Sequence, residues 1–258
     1  MLFRSVKIFL NLFFLFLLAF TYSCASRNLD DSQAEISPEK KIYDEAQKRL
    51  KNGSYSLAID ALESLERSFP FGKYAEQAQA ELIYAYYENG LYDAATRAAE
   101  RFISLHPRHP NTDYAYFMKG LASFSKDKEL LSSLPVLGDL TYKRDLTSAK
   151  ESFNLLTEFL TRFPESTYVE DAKRRMLFLR NLIADQEIEI AQFYMKRKAY
   201  IAAVNRADFI ISSLPNSNVV REALEIKVEA YALMEKKDLA DQAQEILDRF
   251  IKASKNTN

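Results

Sequence analysis

The stretch YDAATRAAERFISLHP, residues 92–107, runs from a tyrosine to a proline along one apolar ladder. Counting back from Pro107, Phe102 lies five residues before, Ala99 eight, Ala95 twelve and Tyr92 fifteen. Steps of three and four place these residues on one face of a helix. The proline stops that helix, because it has no N–H to donate to the next turn. The same offsets recur behind Pro70, Pro164 and Pro215. Five before lie Leu65, Phe159 and Ile210; eight before, Leu62, Leu156 and Ala207; twelve before, the small residues Ala58, Ser152 and Ala203. Tyr55 and Tyr200 repeat the tyrosine, and Ala149 replaces it behind Pro164. The small residue lets a neighbouring helix come close.

Each of these helices follows another amphipathic segment, for example EKKIYDEAQKRLKNG (39–53), KYAEQAQAELIYAYYENG (73–90) and SNVVREALEIKVEAYALMEKK (217–237). The first two end in Asn-Gly, and glycine accepts the left-handed cap without steric cost. Helix, turn, helix, proline is the outline of a tetratricopeptide repeat, whose standard length is about 34 residues. A plain bundle with chance prolines would not repeat five offsets in four units. The pattern predicts an all-α solenoid of about five helix-turn-helix units, near 38–70, 71–107, 108–164, 165–215 and 216–254, with a groove able to hold a peptide or a helix. The third unit carries an insertion, KDKELLSSLPVLGDLTYKRD (126–145), expected to be a loop from its Pro135 and Gly138. The fourth opens with a long helix, roughly 168–198, whose apolar positions include Val169, Ala172, Met176, Leu179, Ile183, Ile190 and Phe193. The fifth ends without a proline, as suits a cap.

Composition agrees. Five glycines and seven prolines are too few to punctuate many strands and hairpins. Arg4 and Lys7 precede an apolar run from Ile8 to Phe20, broken by Asn11. That run is shorter than the roughly 20 residues of a membrane span and has the form of a secretory signal; an uncleaved anchor is the alternative. The single cysteine, Cys24, follows directly, with no partner for a disulfide. The segment resembles a bacterial lipoprotein signal, with cleavage after residue 23 and lipid on Cys24, although Thr21 and Tyr22 depart from the usual pattern. Residues 24–37 would then be a polar tether. The remaining chain carries 33 basic and 36 acidic residues, a net charge of −3, which does not suggest a nucleic-acid surface.

No phosphate loop, H-E-x-x-H pair or dinucleotide turn is present. His106 and His109 could begin a metal site, but a solvated turn between units explains them as well. No metal, cofactor or catalytic residue is expected. Tyrosines crowd the second unit, at 74, 84, 86, 87 and 92, with 114 and 116 just beyond. They serve either repeat packing or a groove, where a ring offers contact area at low entropic cost.

Four segments, FPFGKYAEQAQAELIYAYY (69–87), HPNTDYAYFMKGL (109–121), KRDLTSAKESFNLLTEFLTRFPES (143–166) and YIAAVNRADFII (200–211), resemble the BamD family of tetratricopeptide lipoproteins. The resemblance runs in order along nearly the whole chain after the signal. It implies a non-enzymatic adaptor, lipid-anchored on the periplasmic face of the outer membrane. Such an adaptor binds the periplasmic domains of BamA and helps insert unfolded outer-membrane proteins. Carried over by motif, Phe71, Gly72, Tyr74 and Tyr84 belong to a substrate groove, and Asn205, Arg206, Arg144 and Asp145 to partner binding. The Arg206 guanidinium would then meet a carboxylate of the partner. A different envelope scaffold, coordinating cell-wall synthesis, is the competing expectation; a wall-cleaving hydrolase would need a catalytic domain for which the repeats leave no room.

Overall fold

A computed structural model describes residues 37–132 and 145–255. The signal segment 1–23, Cys24, the tether up to residue 36 and Arg144 lie outside the described residues. Within them, every regular element is a helix. The order is α1 (Pro38–Lys51), α2 (Tyr55–Ser68), α3 (Ala75–Glu88), α4 (Tyr92–Leu105), α5 (Thr112–Ser132), α6 (Thr147–Arg162), α7 (Val169–Lys196), α8 (Tyr200–Ser213), α9 (Val220–Leu233) and α10 (Lys237–Lys255). They form a tetratricopeptide-repeat solenoid in which each helix packs on the next, the second helix of each pair carrying the ladder.

The ladder residues are among the most deeply buried of the described residues. Ala58, Leu62, Leu65, Ala95, Ala99, Phe102, Ser152, Leu156, Phe159, Ala203, Ala207 and Ile210 are all at most 1% exposed. The residues before the four prolines share one backbone conformation: φ is −136° at Phe69, −128° at His106 and −130° at Phe163 and Leu214. Each N–H still donates to the carbonyl four residues back. The following proline ring bars the α conformation at these positions, so the helix closes its last turn and the chain leaves at a fixed angle.

Turns inside the pairs are equally regular. Gly53 and Gly90 have φ of 69° and 76°, and Lys198 and Glu235 take the same left-handed conformation at 60° and 58°. In all four the next N–H reaches back five residues, from Ser54 to Arg49, Leu91 to Tyr86, Ala199 to Tyr194 and Lys236 to Tyr231. Sequence inspection finds the first two turns because glycine marks them. The last two carry no such mark.

Two expectations need correction. The insertion is not a loop from its start, because α5 continues to Ser132. KDKELLS contains good helix formers and nothing that breaks a helix before Pro135. In α7, burial does not follow the ladder through Ile190 and Phe193; Gln186, Glu187, Ile188 and Ala191 are buried instead, and Phe193 is exposed.

First helices also touch across the pairs, α3 with α5 and α7 with α9, whereas no two second helices make comparable contact among the described residues. The stack therefore curves with the first helices inside. No described helix is long and apolar enough to cross a membrane.

Candidate partner-binding surfaces

The inner face of the first three pairs is aromatic and negative. Tyr74, before α3, stacks on Tyr43 of α1 with centroids 4.5 Å apart and planes at 17°. Its N–H donates to Glu39 Oε1 at 2.7 Å, so a carboxylate from the preceding unit caps α3. A Cβ at Gly72 would fall on that carboxylate, which explains the glycine. At the matching positions of the next two junctions the turn residue caps itself: His109 Nδ1 accepts from Asn111 N–H at 3.0 Å, and Ser166 Oγ from Tyr168 N–H at 3.3 Å. Phe71, beside Gly72, is 99% exposed.

Further along, Gln77, Ala80, Glu81, Tyr84, Asn111, Tyr114 and Tyr168 line one depression. Glu81 accepts from Tyr43 OH at 3.0 Å, from Gln77 Nε2 at 2.8 Å and from Gln47 Nε2. All three donors are neutral, so its charge is uncompensated. The phenols of the depression are shifted by several neighbours, mostly others than Glu81. A hydrogen bond with Tyr55, burial and the charge of Glu88 push Tyr84 up to about 12. Burial, then Tyr168, Tyr84, Glu81 and Glu88, pushes Tyr114 up as well. The four groove residues taken from the sequence thus fall on this side of the first two units: Phe71 free, Gly72 and Tyr74 tied to Glu39, and Tyr84 in the depression. Tyr43, Glu81 and Tyr168 were missed, and the tyrosine enrichment of the second unit includes none of the three.

His106 and His109 sit on the turn between units, as expected, but their rings are not fully solvated. Both rings are partly buried and lie against Phe102, with centroids 5.1 and 5.2 Å away. His106 Nδ1 and His109 Nε2 face the two oxygens of Glu76 at 3.5 and 3.6 Å. Because His109 Nδ1 accepts the Asn111 N–H, a neutral His109 carries its proton on Nε2 and has no lone pair there for a metal.

At the other end a buried carboxylate organises the surface. Glu187 of α7 is 2% exposed. Its Oε1 accepts from Lys150 Nζ of α6 and its Oε2 from Arg206 Nη1 of α8, each at 2.9 Å. Arg206 therefore meets an internal carboxylate, where the sequence suggested only a partner's; its side chain is still 42% exposed. Asn205 beside it is exposed, as are Ile201 and Phe209 one turn to either side. Asp145 accepts from Thr147 Oγ1 at 2.6 Å and Thr147 N–H at 2.9 Å, at the start of α6. These bonds, with a smaller contribution from Lys150, hold its carboxyl below the ordinary range. Lys150, Glu187 and Arg206 thus form one ion-paired chain linking α6, α7 and α8, while Asp145 is bonded to Thr147. Lys150 and Glu187 were not found from the sequence. The signal was a glutamate four residues after Ile183 and four before Ala191, inside a buried ladder.

Comparison with known proteins agrees with this architecture. The family described as "YfiO: Outer membrane lipoprotein" matches residues 35–246. The chain is 38% identical over 229 residues to outer membrane protein assembly factor BamD of Neisseria gonorrhoeae, covering 88% of this chain and 85% of that protein. It is 36% identical over 210 residues to the factor of the same name from Vibrio cholerae serotype O1, covering 81% and 86%. Matched along most of its length by the family and by these relatives, the chain belongs to the BamD family of outer-membrane lipoproteins.

Proposed function

We propose that this chain is a non-enzymatic adaptor of outer-membrane protein assembly, held to the periplasmic face of the outer membrane by lipid on Cys24. The observation that carries this reading is its similarity to assembly factors over most of both chains. The two unlike surfaces give it a division of labour. Tyr74, Tyr84 and the free ring of Phe71 offer stacking and apolar contact to an unfolded outer-membrane protein. Asn205, Arg206 and the Asp145 corner form the face that docks the periplasmic domains of BamA, and Arg144, next to Asp145 in sequence, contributes to the same docking.

The test is crosslinking in intact cells from a photoreactive residue at 71 or 84 and, separately, at 205. Adducts with unfolded outer-membrane proteins from the first pair and with BamA from the second are expected. Recovery of cell-wall enzymes in place of BamA would instead identify a scaffold of wall synthesis. For the anchor, Cys24→Ala should abolish incorporation of labelled palmitate; equal labelling of the variant would exclude lipid at that residue.

A further inference from the structure

Among the described residues, second helices of neighbouring units do not make the contact that first helices make, so each junction opens a gap on the outer side of the stack. Counting back from the prolines shows which residues hold equivalent places along these gaps. In the fourth unit Ala202, Asn205 and Phe209 lie thirteen, ten and six residues before Pro215. In the second, Ala94, Arg97 and Arg101 hold the same places before Pro107. The first unit has Leu57, Asp60 and Ser64 there, and the third Glu151, Asn154 and Glu158. Arginines thus occupy this face in the second unit alone.

Between α2, α3 and α4 the gap is an open depression of about 220 Å³. Small-molecule clefts begin at roughly 300 Å³, so the space suits one side chain rather than a cofactor. Leu82 and Phe102, both buried, and the half-buried Ala94 and Ala98 give it an apolar lining. Its other lining residues are polar. Arg101 Nη2 lies 2.7 Å from Glu66 Oε1, which also accepts from Gln79 Nε2 at 3.0 Å. Arg97 has no carboxylate partner among the described residues. Burial, then the hydrogen bond to Glu63, pushes the Tyr86 phenol up, and Arg97 opposes that shift, so its charge stands near the ring. Glu63 itself is outside the lining and paired with Arg67. The charged residues of the lining are therefore two cations and one anion. At the next junction the corresponding space is filled. Tyr116 takes the place of Gln79, nine residues after the proline, and packs on Phe163 with the Arg162 guanidinium 5.3 Å from its ring centroid.

We infer that the outer depression of the second unit is a docking site for an apolar side chain flanked by carboxylates on a partner protein. The apolar side chain fills the space against Leu82 and Phe102. The carboxylates meet Arg97, which is free, and the remaining N–H donors of Arg101. A segment with basic flanks would meet two like charges, so the site selects by sign as well as by fit. The chain then carries an outer docking face in the second unit at the repeat position that Asn205 and Phe209 occupy in the fourth. This site asks nothing of BamA, and it stands or falls separately from the docking proposed for the fourth unit.

The test titrates the lipid-free chain, with isotope-labelled alanine methyls, with an end-capped peptide in which one phenylalanine is flanked by two glutamates. A twin peptide with lysine flanks is the comparison, and both are followed by methyl NMR. The glutamate peptide should move the signals of Ala94 and Ala98, and the lysine twin should bind about tenfold more weakly. Arg97→Gln breaks no internal ion pair, so the fold should be kept, as circular dichroism would check. That variant should bind the glutamate peptide about threefold more weakly, the worth of one exposed charge pair, and discriminate less between the twins. Signals of Ala94 and Ala98 unmoved by the glutamate peptide would show that there is no site. Equal binding of the two peptides, or of the glutamate peptide by parent and Arg97→Gln, would show that the arginines select nothing. Either result overturns the inference.

Discussion

Glu81 and Glu187 are both carboxylates on first helices of their units, and both collect hydrogen bonds from neighbouring helices. Glu81 is met by a phenol and two amides, Glu187 by an ammonium and a guanidinium. The first arrangement leaves a negative charge lodged in an aromatic groove. The second pairs its buried negative charge with two cations. One repeat architecture has thus produced two ends of different electrical character by changing what surrounds a glutamate. The contrast teaches that the repeat sets where side chains point, while the partners of a few polar residues decide what each end can hold.

The strongest way to break this comparison is to strip Glu187. Replacing Lys150 and Arg206 together by Met leaves a buried carboxylate with no cation, and stability should fall by about 3–5 kcal/mol. Urea unfolding would measure it. A loss under 1 kcal/mol would mean that Glu187 is solvated and the contrast with Glu81 is empty. Next comes packing between α5 and α6. A Cβ on Gly120 would stand 2.6 Å from Leu156 Cδ2, and Leu156 has no exposed surface into which to retreat. Ser152 Oγ, which donates to Gly120 O at 2.7 Å, would be displaced too. Gly120→Ala should therefore cost about 1–3 kcal/mol in thermal unfolding. Gly72→Ala should cost less, since Glu39 there is the flexible end of a side chain.

Tyr43→Phe removes one of three neutral donors from Glu81, and its cost should be only about 1 kcal/mol. A cost equal to that of the double change at Glu187 would erase the distinction between the two ends. The smallest effect expected here is a pH response. The folded state favours the neutral phenol of Tyr84, pushed up to about 12, against an ordinary value of about 10. Its contribution to stability is full below about pH 10 and is lost as pH rises through 12. Tyr84→Phe should flatten the alkaline limb of a stability–pH curve; an unchanged limb would show that this phenol titrates normally.

The ladder was legible because it obeys two rules that need no partner. Apolar residues recur at helix spacing, and proline ends the helix wherever it falls. The closing turns at Lys198 and Glu235 were not legible, because packing holds a non-glycine residue in the left-handed region that sequence associates with glycine. The corner on Glu187 was hidden for a related reason. A charged residue within an apolar ladder looks like an interruption until the helices on either side bring its cations. Arg206 was visible by motif, but its first partner lay nineteen residues back on another helix.

The position of Glu187 along α7 bears on how the molecule comes apart. Up to Ala184 this helix belongs to one apolar cluster, which it shares with α3 to α6. From Ile188 it belongs to another, shared with α8 to α10. Glu187 sits between them, so two oily blocks meet end to end across a charged link on a single helix. Opening that link breaks the ion pairs of Glu187 and parts Leu214 and Val219, beyond α8, from the first cluster. Amide exchange should consequently divide the chain into two cooperative blocks, with the last three helices opening while the first six stay closed, and the boundary should fall within one turn of residue 187.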